Sequence, residues 1–194
     1  MKWNFAISGC CLLLLAANIA LLNQNSKLKA QLSVPPPALE ATAGAQVPDL
    51  HGFDITGKPV ELRYGEDQRK VLVLVYSPTC PFCDQNWPKW QQLISSLDLS
   101  AVRPIGVDVT STTDAGFILQ HQLSQLPVFL KVDPRATVDY RFQLTPQTIL
   151  VGHDGKVEKV WTGVLNDSSL GELKQRLGNT RAATQNSDHR PALQ

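Results

Sequence analysis

Apolar and polar positions fall into blocks along the chain, and these blocks predict alternating strands and helices. The unbroken apolar run from Val71 to Tyr76 is typical of a central strand buried on both faces. From Phe82 to Leu97, apolar side chains return every three or four residues, which predicts one helix with a buried face. Pro88 lies inside this helix and should kink it. "VRPIGVDV" predicts the next strand.

The second half of the domain is predicted to contain two short helices, a hairpin and a last helix. "TTDAGFILQHQL" predicts a helix that a Ser/Thr cluster could cap, and "ATVDYRF" indicates a short helical segment. "QTILVGHDGKVEKVW" predicts a hairpin, because Asp154-Gly155 is a strong turn signal. The segment "DSSLGELKQRL" predicts the last helix, with Asp167 or Ser168 as its cap and Gly178 as its stop.

This order of elements predicts an α/β domain with a central mixed sheet flanked by helices. The domain is expected to span residues 47–177. A Pro- and Ala-rich tether is expected over residues 33–46, and a disordered tail over residues 178–194, which carry almost no large apolar side chains.

The N-terminal segment differs from the rest of the chain. Residues 5–22 form a run of 18 uncharged residues, close to the roughly 20 needed to span a bilayer. We interpret residues 1–32 as a membrane anchor with a short helical extension, and this is favoured over a cleaved secretory signal because small residues suited to cleavage are missing near Leu22.

Charge and cysteine content narrow the function classes. The formal net charge is +1 with no long run of either sign, so a nucleic-acid partner is not expected. Of the four cysteines, Cys10 and Cys11 lie in the apolar run, and only Cys80 and Cys83 lie outside it. Two cysteines cannot build a four-thiolate zinc site and no histidine stands at ligand spacing, so neither a metal nor a cofactor is expected.

The two remaining cysteines stand in "YSPTCPFCD", where the predicted central strand ends and the helix begins. At that junction Cys80 would meet the free N–H groups and the positive end of the helix, which favour a thiolate and lower its pKa. Cys83 follows one turn later, within disulfide reach. The pair therefore predicts a redox centre in which Cys80 attacks and Cys83 resolves; a structural bridge and a metal site are the alternatives.

Residues 47–177 resemble the thioredoxin-fold proteins, above all the membrane-anchored TlpA-like and ResA-like thiol–disulfide oxidoreductases of the bacterial envelope. Three stretches carry the resemblance, in the order that the family has them. They are "VPDLHGFDITGKPVEL" for the N-terminal hairpin, "KVLVLVYSPTCPFCDQNWPKW" for the strand, the cysteine motif and the kinked helix, and "VDPRATVDYRFQLTPQTILVGHDGKVEKVWTG" for the cis-proline stretch and the second hairpin.

The resemblance implies roles for individual residues. Cys80 matches the nucleophile, Cys83 the resolving cysteine and Pro146 the cis-proline that lies against the disulfide. Thr145, directly before it, would offer backbone atoms to a substrate strand and tune the cysteines. The inner residues Pro81 and Phe82 would also tune the reduction potential.

One position departs from the family pattern. Many relatives carry a buried glutamate three residues after the second cysteine, where it handles the proton of that thiol. This chain has Asn86 there, which cannot titrate. The residue or solvent molecule that would take over the role of the glutamate stays open at this stage.

The resulting hypothesis is an enzyme that exchanges disulfides with extracytoplasmic protein substrates. The resemblance implies a single-pass protein of the bacterial inner membrane whose domain faces the periplasm or the cell exterior. A membrane thiol oxidoreductase would reset the pair, and the expected direction is reduction, with cytochrome c maturation as one process served. The alternatives are a non-catalytic binding or metal-carrier module on the same fold and a thiol peroxidase.

Overall fold

The elements follow one another as the sequence predicts for most of the chain. The computed structural model describes residues 17–25 and 40–187, with residues 179–187 described by their backbone alone. Its elements are α1 (residues 17–25), β1 (Leu50–Phe53), β2 (Pro59–Leu62), β3 (Lys70–Tyr76), α2 (Pro81–Ser95), β4 (Val102–Asp108), α3 (Ala115–Gln120), β5 (Val128–Phe129), α4 (Pro134–Asp139), β6 (Gln147–Val151), β7 (Val157–Thr162) and α5 (Asp167–Ser187).

Helix α1 belongs to a separate unit, residues 1–38, and all other elements belong to the unit of residues 39–194. The predicted membrane span over residues 5–22 lies outside the described residues except for residues 17–22, which are part of α1. No helix within the described part of the chain combines the length and the apolar content that crossing a bilayer requires.

A five-stranded mixed sheet in the order β5-β4-β3-β6-β7 forms the centre of the domain. Strands β3, β4 and β5 run parallel, and β6 and β7 are antiparallel to their neighbours. Strand β3 is the middle strand, and Val71 to Tyr76 are all buried. The prediction of a central strand covered on both faces is therefore confirmed.

The alternating side chains of β3 supply two separate cores, one on each face of the sheet. Leu72, Leu74 and Tyr76 pack in the cluster that contains the buried residues of α2 and α5. Val71, Val73 and Val75 pack in the cluster that contains the hairpin β1–β2 and the buried side of α4. Residues 77–80, which follow Tyr76 and end at the first cysteine of the pair, are thus held by a strand that packs in both cores.

The hairpin β1–β2 joins the main sheet through its first strand. The N–H of Phe53 donates to the carbonyl of Leu130, and the N–H of Leu130 donates back to Phe53, both at 2.8 Å. Gly52 makes this approach possible, because a Cβ at this position would lie 2.7 Å from the Leu130 carbonyl oxygen.

Two predicted helix caps and one predicted helix end are wrong. Helix α3 is capped by Asp114, which accepts from the N–H of Phe117 at 2.8 Å, and not by the Ser/Thr cluster. Helix α5 is capped by Asn166, which accepts from the N–H of Ser169, and not by Asp167 or Ser168. The side-chain amide oxygen of Asn166 is the acceptor that Asp167 or Ser168 could have supplied one or two residues later.

Gly178 does not end helix α5, which continues to Ser187. One glycine inside a helix costs about 1 kcal/mol, which is too little to stop a helix that is already formed. Residues 188–194 of the predicted tail lie outside the described residues, and their assignment stays a prediction.

The central strand should dominate stability. Leu74 is fully buried, so Leu74→Ala should lower the free energy of unfolding by about 2–5 kcal/mol, because it leaves a cavity under α2. Leu119→Ala is the matched control, since Leu119 is 73% exposed, and its effect should stay within about 0.5 kcal/mol. Urea denaturation measures both values, and equal losses would contradict this description of the core.

Candidate redox site

The segment between β3 and α2 turns the chain so that Cys80 lies at the N-cap position, directly before the first residue of α2. The N–H of Cys80 donates to the carbonyl of Ser77 at 3.1 Å, which closes a tight turn. Pro81 occupies the first helical position, where its fixed φ suits the helix and its missing N–H costs nothing. Cys80 itself is extended, with φ −90° and ψ 113°, as residues in the N-cap position are.

The thiol of Cys80 lies where a capping oxygen lies in most helices, and its side chain forms no capping hydrogen bond. The Cys80 carbonyl accepts the N–H of Cys83 at 2.9 Å and of Asp84 at 3.3 Å. The half-buried Sγ is 3.6 Å from the carbonyl oxygen of Thr145, to which the protonated thiol can donate. Both cysteines are free thiols, so this geometry represents the reduced pair.

The surroundings of Cys80 favour the thiolate. Partial burial opposes ionisation, but it is outweighed by the hydrogen-bonding groups around the sulfur, from which a thiolate would accept: the side chains of Thr145 and Cys83 and the backbone of Cys83 and Phe82. Together they lower the pKa of Cys80 below its ordinary value. This is the direction that the position of Cys80 in the sequence predicts.

Cys83 has the opposite character. It is completely buried one turn into α2, and burial raises its pKa to about 12. The neighbouring Cys80 adds to the rise, while hydrogen bonds with the backbone of Ser77 and the side chain of Thr145 oppose it. One half-exposed sulfur that ionises readily therefore lies against a covered sulfur that stays protonated.

The structure brings the predicted residues Thr145 and Pro146 to this pair. The peptide bond between them is cis. Strand β6 begins directly afterwards, and Gln147 pairs with Val75 near the end of β3, so the proline is held next to the start of α2. The other two predicted residues, Pro81 and Phe82, form the exposed first turn, and the ring of Phe82 is 59% exposed.

Asn86, the position that departs from the family pattern, is fully buried and hydrogen-bonded across the fold. Its Oδ1 accepts the N–H of Leu165 at 3.0 Å. Its Nδ2 has no partner among the described residues. Lys89, one turn further along α2, donates from Nζ to the carbonyl oxygen of the same Leu165. The sequence singles out Asn86 but gives no signal for its partner, which lies 79 positions away.

A polar network links Tyr76, at the end of β3, to the loop after β4, and sequence reasoning marks only Asp108 in it, as a turn residue. The hydroxyl of Tyr76 lies 3.0 Å from that of Thr113, and the buried carboxylate of Asp108 accepts the N–H and the hydroxyl of Thr113. The sequence signal was present in the cluster "TSTT" after Asp108, because a carboxylate followed by hydroxyl residues favours a hydrogen-bonded turn. This turn fixes the loop after β4 beside the end of β3, from which residues 77–80 lead to the cysteine pair.

Nothing among the described side chains forms a cluster of three or more His, Cys, Asp and Glu residues able to hold a metal ion.

The fold and this pair of thiols define a thioredoxin-like redox protein. The chain belongs to the AhpC/TSA family, whose model matches residues 43–160, more than half of the sequence. A curated relative, the thiol-disulfide oxidoreductase ResA of Halalkalibacterium halodurans, is 26% identical over 137 residues, which cover 70% of this chain and 77% of the relative.

Solved structures show the same architecture. StoA from Bacillus subtilis matches with a TM-score of 0.52 and 20% identity, covering 67% of this chain and 97% of StoA. A putative thiol:disulfide interchange protein DsbE from Chlorobium tepidum matches with a TM-score of 0.56 and 19% identity, covering 73% of this chain and 99% of that protein. At such identities the two likenesses show the fold. With the family match, they confirm the predicted class, a thioredoxin-like thiol–disulfide oxidoreductase.

The difference between the two thiols can be measured by alkylation. In a Cys80→Ser variant, Cys83 should not react with iodoacetamide at neutral pH, because its burial keeps the pKa far above that of a free thiol. Peptide mass spectrometry measures the extent of reaction. The same variant in urea is the control, where Cys83 should react as an ordinary cysteine. Equal rates with and without urea would contradict the buried thiol.

Proposed function

We propose that this protein exchanges thiols and disulfides with protein substrates through the pair Cys80 and Cys83. The observation that carries the proposal is the asymmetry of the pair. Cys80 is accessible and its pKa is lowered, whereas Cys83 is covered and stays protonated with a pKa of about 12. An accessible thiolate is the form that attacks disulfides, and a protected thiol beside it can react only after the first bond has formed.

The first step forms a mixed disulfide. The Cys80 thiolate attacks one sulfur of a substrate disulfide, the substrate S–S bond breaks, and the departing substrate thiolate takes a proton from solvent. The new bond joins Cys80 Sγ to the substrate. The negative charge of the attacking sulfur is stabilised beforehand by the first turn of α2, so this step needs no separate base.

The second step releases the substrate. Cys83 attacks Cys80 Sγ, which breaks the mixed disulfide, and in the net exchange the proton of Cys83 passes to the departing substrate sulfur, so that the substrate leaves as a dithiol. The Cys80–Cys83 disulfide forms, and two electrons have passed from the pair to the substrate. The same steps run backwards if the oxidised pair meets a substrate dithiol.

The surface around Cys80 suits an extended protein segment. Thr145 and Pro146 lie directly before strand β6, and the backbone of Thr145 can pair with a substrate strand. The exposed ring of Phe82, in the first turn of α2, offers apolar contact, and Pro81 fixes the turn that carries it. We assign substrate binding and tuning of the cysteines to these four residues.

We place the domain on the extracytoplasmic side of the bacterial inner membrane, tethered through residues 5–22. The uncharged run in the sequence supports the tether, and the family resemblance supports the compartment. The protein acts as a reductant there, a membrane thiol oxidoreductase resets the pair, and cytochrome c maturation is one process that it serves. The reducing direction rests on the resemblance.

Insulin reduction with dithiothreitol tests the proposal. The Cys80→Ser variant should lose the acceleration over dithiothreitol alone, because Cys83, the other sulfur of the pair, is buried. The Cys83→Ser variant should instead accumulate mixed disulfides, which non-reducing gels and mass spectrometry detect. Cys10→Ser is the matched control and should behave as the parent protein.

Wild-type activity in Cys80→Ser would refute the proposal, and so would a Cys83→Ser protein that forms no mixed disulfide. The direction has its own measurement, equilibration of the pair with glutathione buffers. If the protein is a reductant, the reduction potential of the pair should be about −270 mV, whereas a value of about −120 mV would identify the protein as an oxidant.

A further inference from the structure

One backbone unit, that of Leu165, is held at both of its polar groups by side chains of helix α2. Asn86 accepts its N–H at 3.0 Å, and Lys89 donates to its carbonyl oxygen. Asn86 is fully buried and Leu165 is 2% exposed, so water has little access to the first of these bonds. Leu165 belongs to the loop between β7 and α5, far from α2 in sequence.

The same loop also holds the cis-proline segment. The N–H of Gly163 donates to the carbonyl oxygen of Pro146 at 2.8 Å. Thr145, on the other side of the proline, has its carbonyl oxygen 3.6 Å from Cys80 Sγ. The contacts therefore form a closed circuit, from Cys80 at the N-cap of α2 through residues 145–146 and 163–165 and back to α2.

Cys83, Asn86 and Lys89 are spaced by three residues along α2, so they lie along one side of the helix. The two side chains that hold Leu165 thus follow directly after the buried thiol. A shift of the loop relative to α2 would change where residues 145–146 lie with respect to Cys83.

We propose that Asn86 and Lys89 are positioning residues for the second exchange step, in which Cys83 displaces the substrate from Cys80. The proposal rests on the function proposed above. Displacement requires the attacking sulfur, Cys80 Sγ and the departing sulfur to lie in line, and the substrate is held by residues 145–146. The two hydrogen bonds to Leu165 fix residues 145–146 relative to Cys83. Cys83 is packed in the core, so its sulfur cannot move to correct a misplaced substrate.

The unpartnered donor of Asn86 supports a specific role for this residue. A buried amide with one of its groups unsatisfied costs free energy, which an apolar side chain of similar size would avoid. Among the described residues, the side chain of Asn86 forms its one hydrogen bond with Leu165, so that bond is the gain that offsets the cost.

Oxidised glutathione is the probe that separates the two steps. Cys80 thiolate attacks it, releasing one glutathione and forming glutathionylated Cys80. Cys83 then displaces the second glutathione, which leaves the Cys80–Cys83 disulfide and two glutathione molecules in all. Acid quenching followed by mass spectrometry of the full-length protein measures the rates of appearance and loss of the adduct.

The expected result is a change in the second rate alone. In Asn86→Ala the adduct should form at the parent rate but persist about tenfold longer, because small misplacements of reacting groups cost one to two orders of magnitude. Lys89→Met should act in the same direction but more weakly, since Lys89 is half-buried and water can replace it. In the double variant the second rate should fall by less than the two single effects combined, because both side chains act through the backbone of one residue, Leu165.

Matched controls exist on the exposed surface. Gln85→Ala changes an exposed amide on the same helix, and Lys58→Met removes an exposed ammonium from the hairpin. Both should leave the two rates unchanged. Should Asn86→Ala fail to fold, as judged by its urea transition, Lys89→Met still tests the proposal.

The proposal would be overturned if Asn86→Ala and Lys89→Met lost the adduct as fast as the control variants do. It would also be overturned if formation and loss of the adduct slowed equally, because that would indicate a general loss of structure. These failures differ from failure of the proposed function. If the wild-type protein forms no adduct on Cys80, disulfide exchange itself is refuted, and the positioning role falls with it.

Discussion

The chemistry of this protein depends on the way helix α2 begins. In most helices a side-chain oxygen accepts one of the first free N–H groups, and here the sulfur of Cys80 takes that place without a capping hydrogen bond. A thiolate is a better acceptor than a thiol, so the unpaired end of the helix favours ionisation of this one cysteine. The reactivity of Cys80 is thus a property of the backbone as much as of its own side chain.

The rest of the fold holds that helix end against its surroundings. Strand β3 delivers the chain to it from the centre of the sheet, and strand β6 begins beside it after the cis bond at Pro146. The second cysteine is kept out of water by the same helix, which raises its pKa to about 12. Two sulfurs three residues apart therefore have different chemistry, because the helix exposes one and buries the other.

Local patterns explain which parts of this arrangement could be predicted from sequence. The run of Val71 to Tyr76 and the Asp154-Gly155 turn are short-range signals, and each formed the element that it predicts. The two-residue strand β5 was not predicted, because it exists only through pairing with β4. The caps at Asp114 and Asn166 were assigned to neighbouring residues, since several adjacent side chains could serve and only the backbone path decides among them.

The site shows the same division. The sequence predicts Cys80 and Cys83, and the family resemblance adds Thr145 and Pro146. The partner of Asn86 could not be predicted, because nothing in the sequence near Leu165 marks a backbone unit that a distant amide will bind. Contacts between a side chain and a remote backbone carry no pattern of residue types, so only the folded structure reveals them.

The state of the Cys80 sulfur is the central claim, and the ultraviolet absorbance of the thiolate measures it directly. A pH titration of the reduced protein, with the titration of Cys80→Ser subtracted, isolates this sulfur. The account predicts a midpoint below that of the same cysteine in the protein unfolded in urea. A midpoint at or above that value would show that the helix end does not stabilise the thiolate, and the mechanism would lose its attacking group.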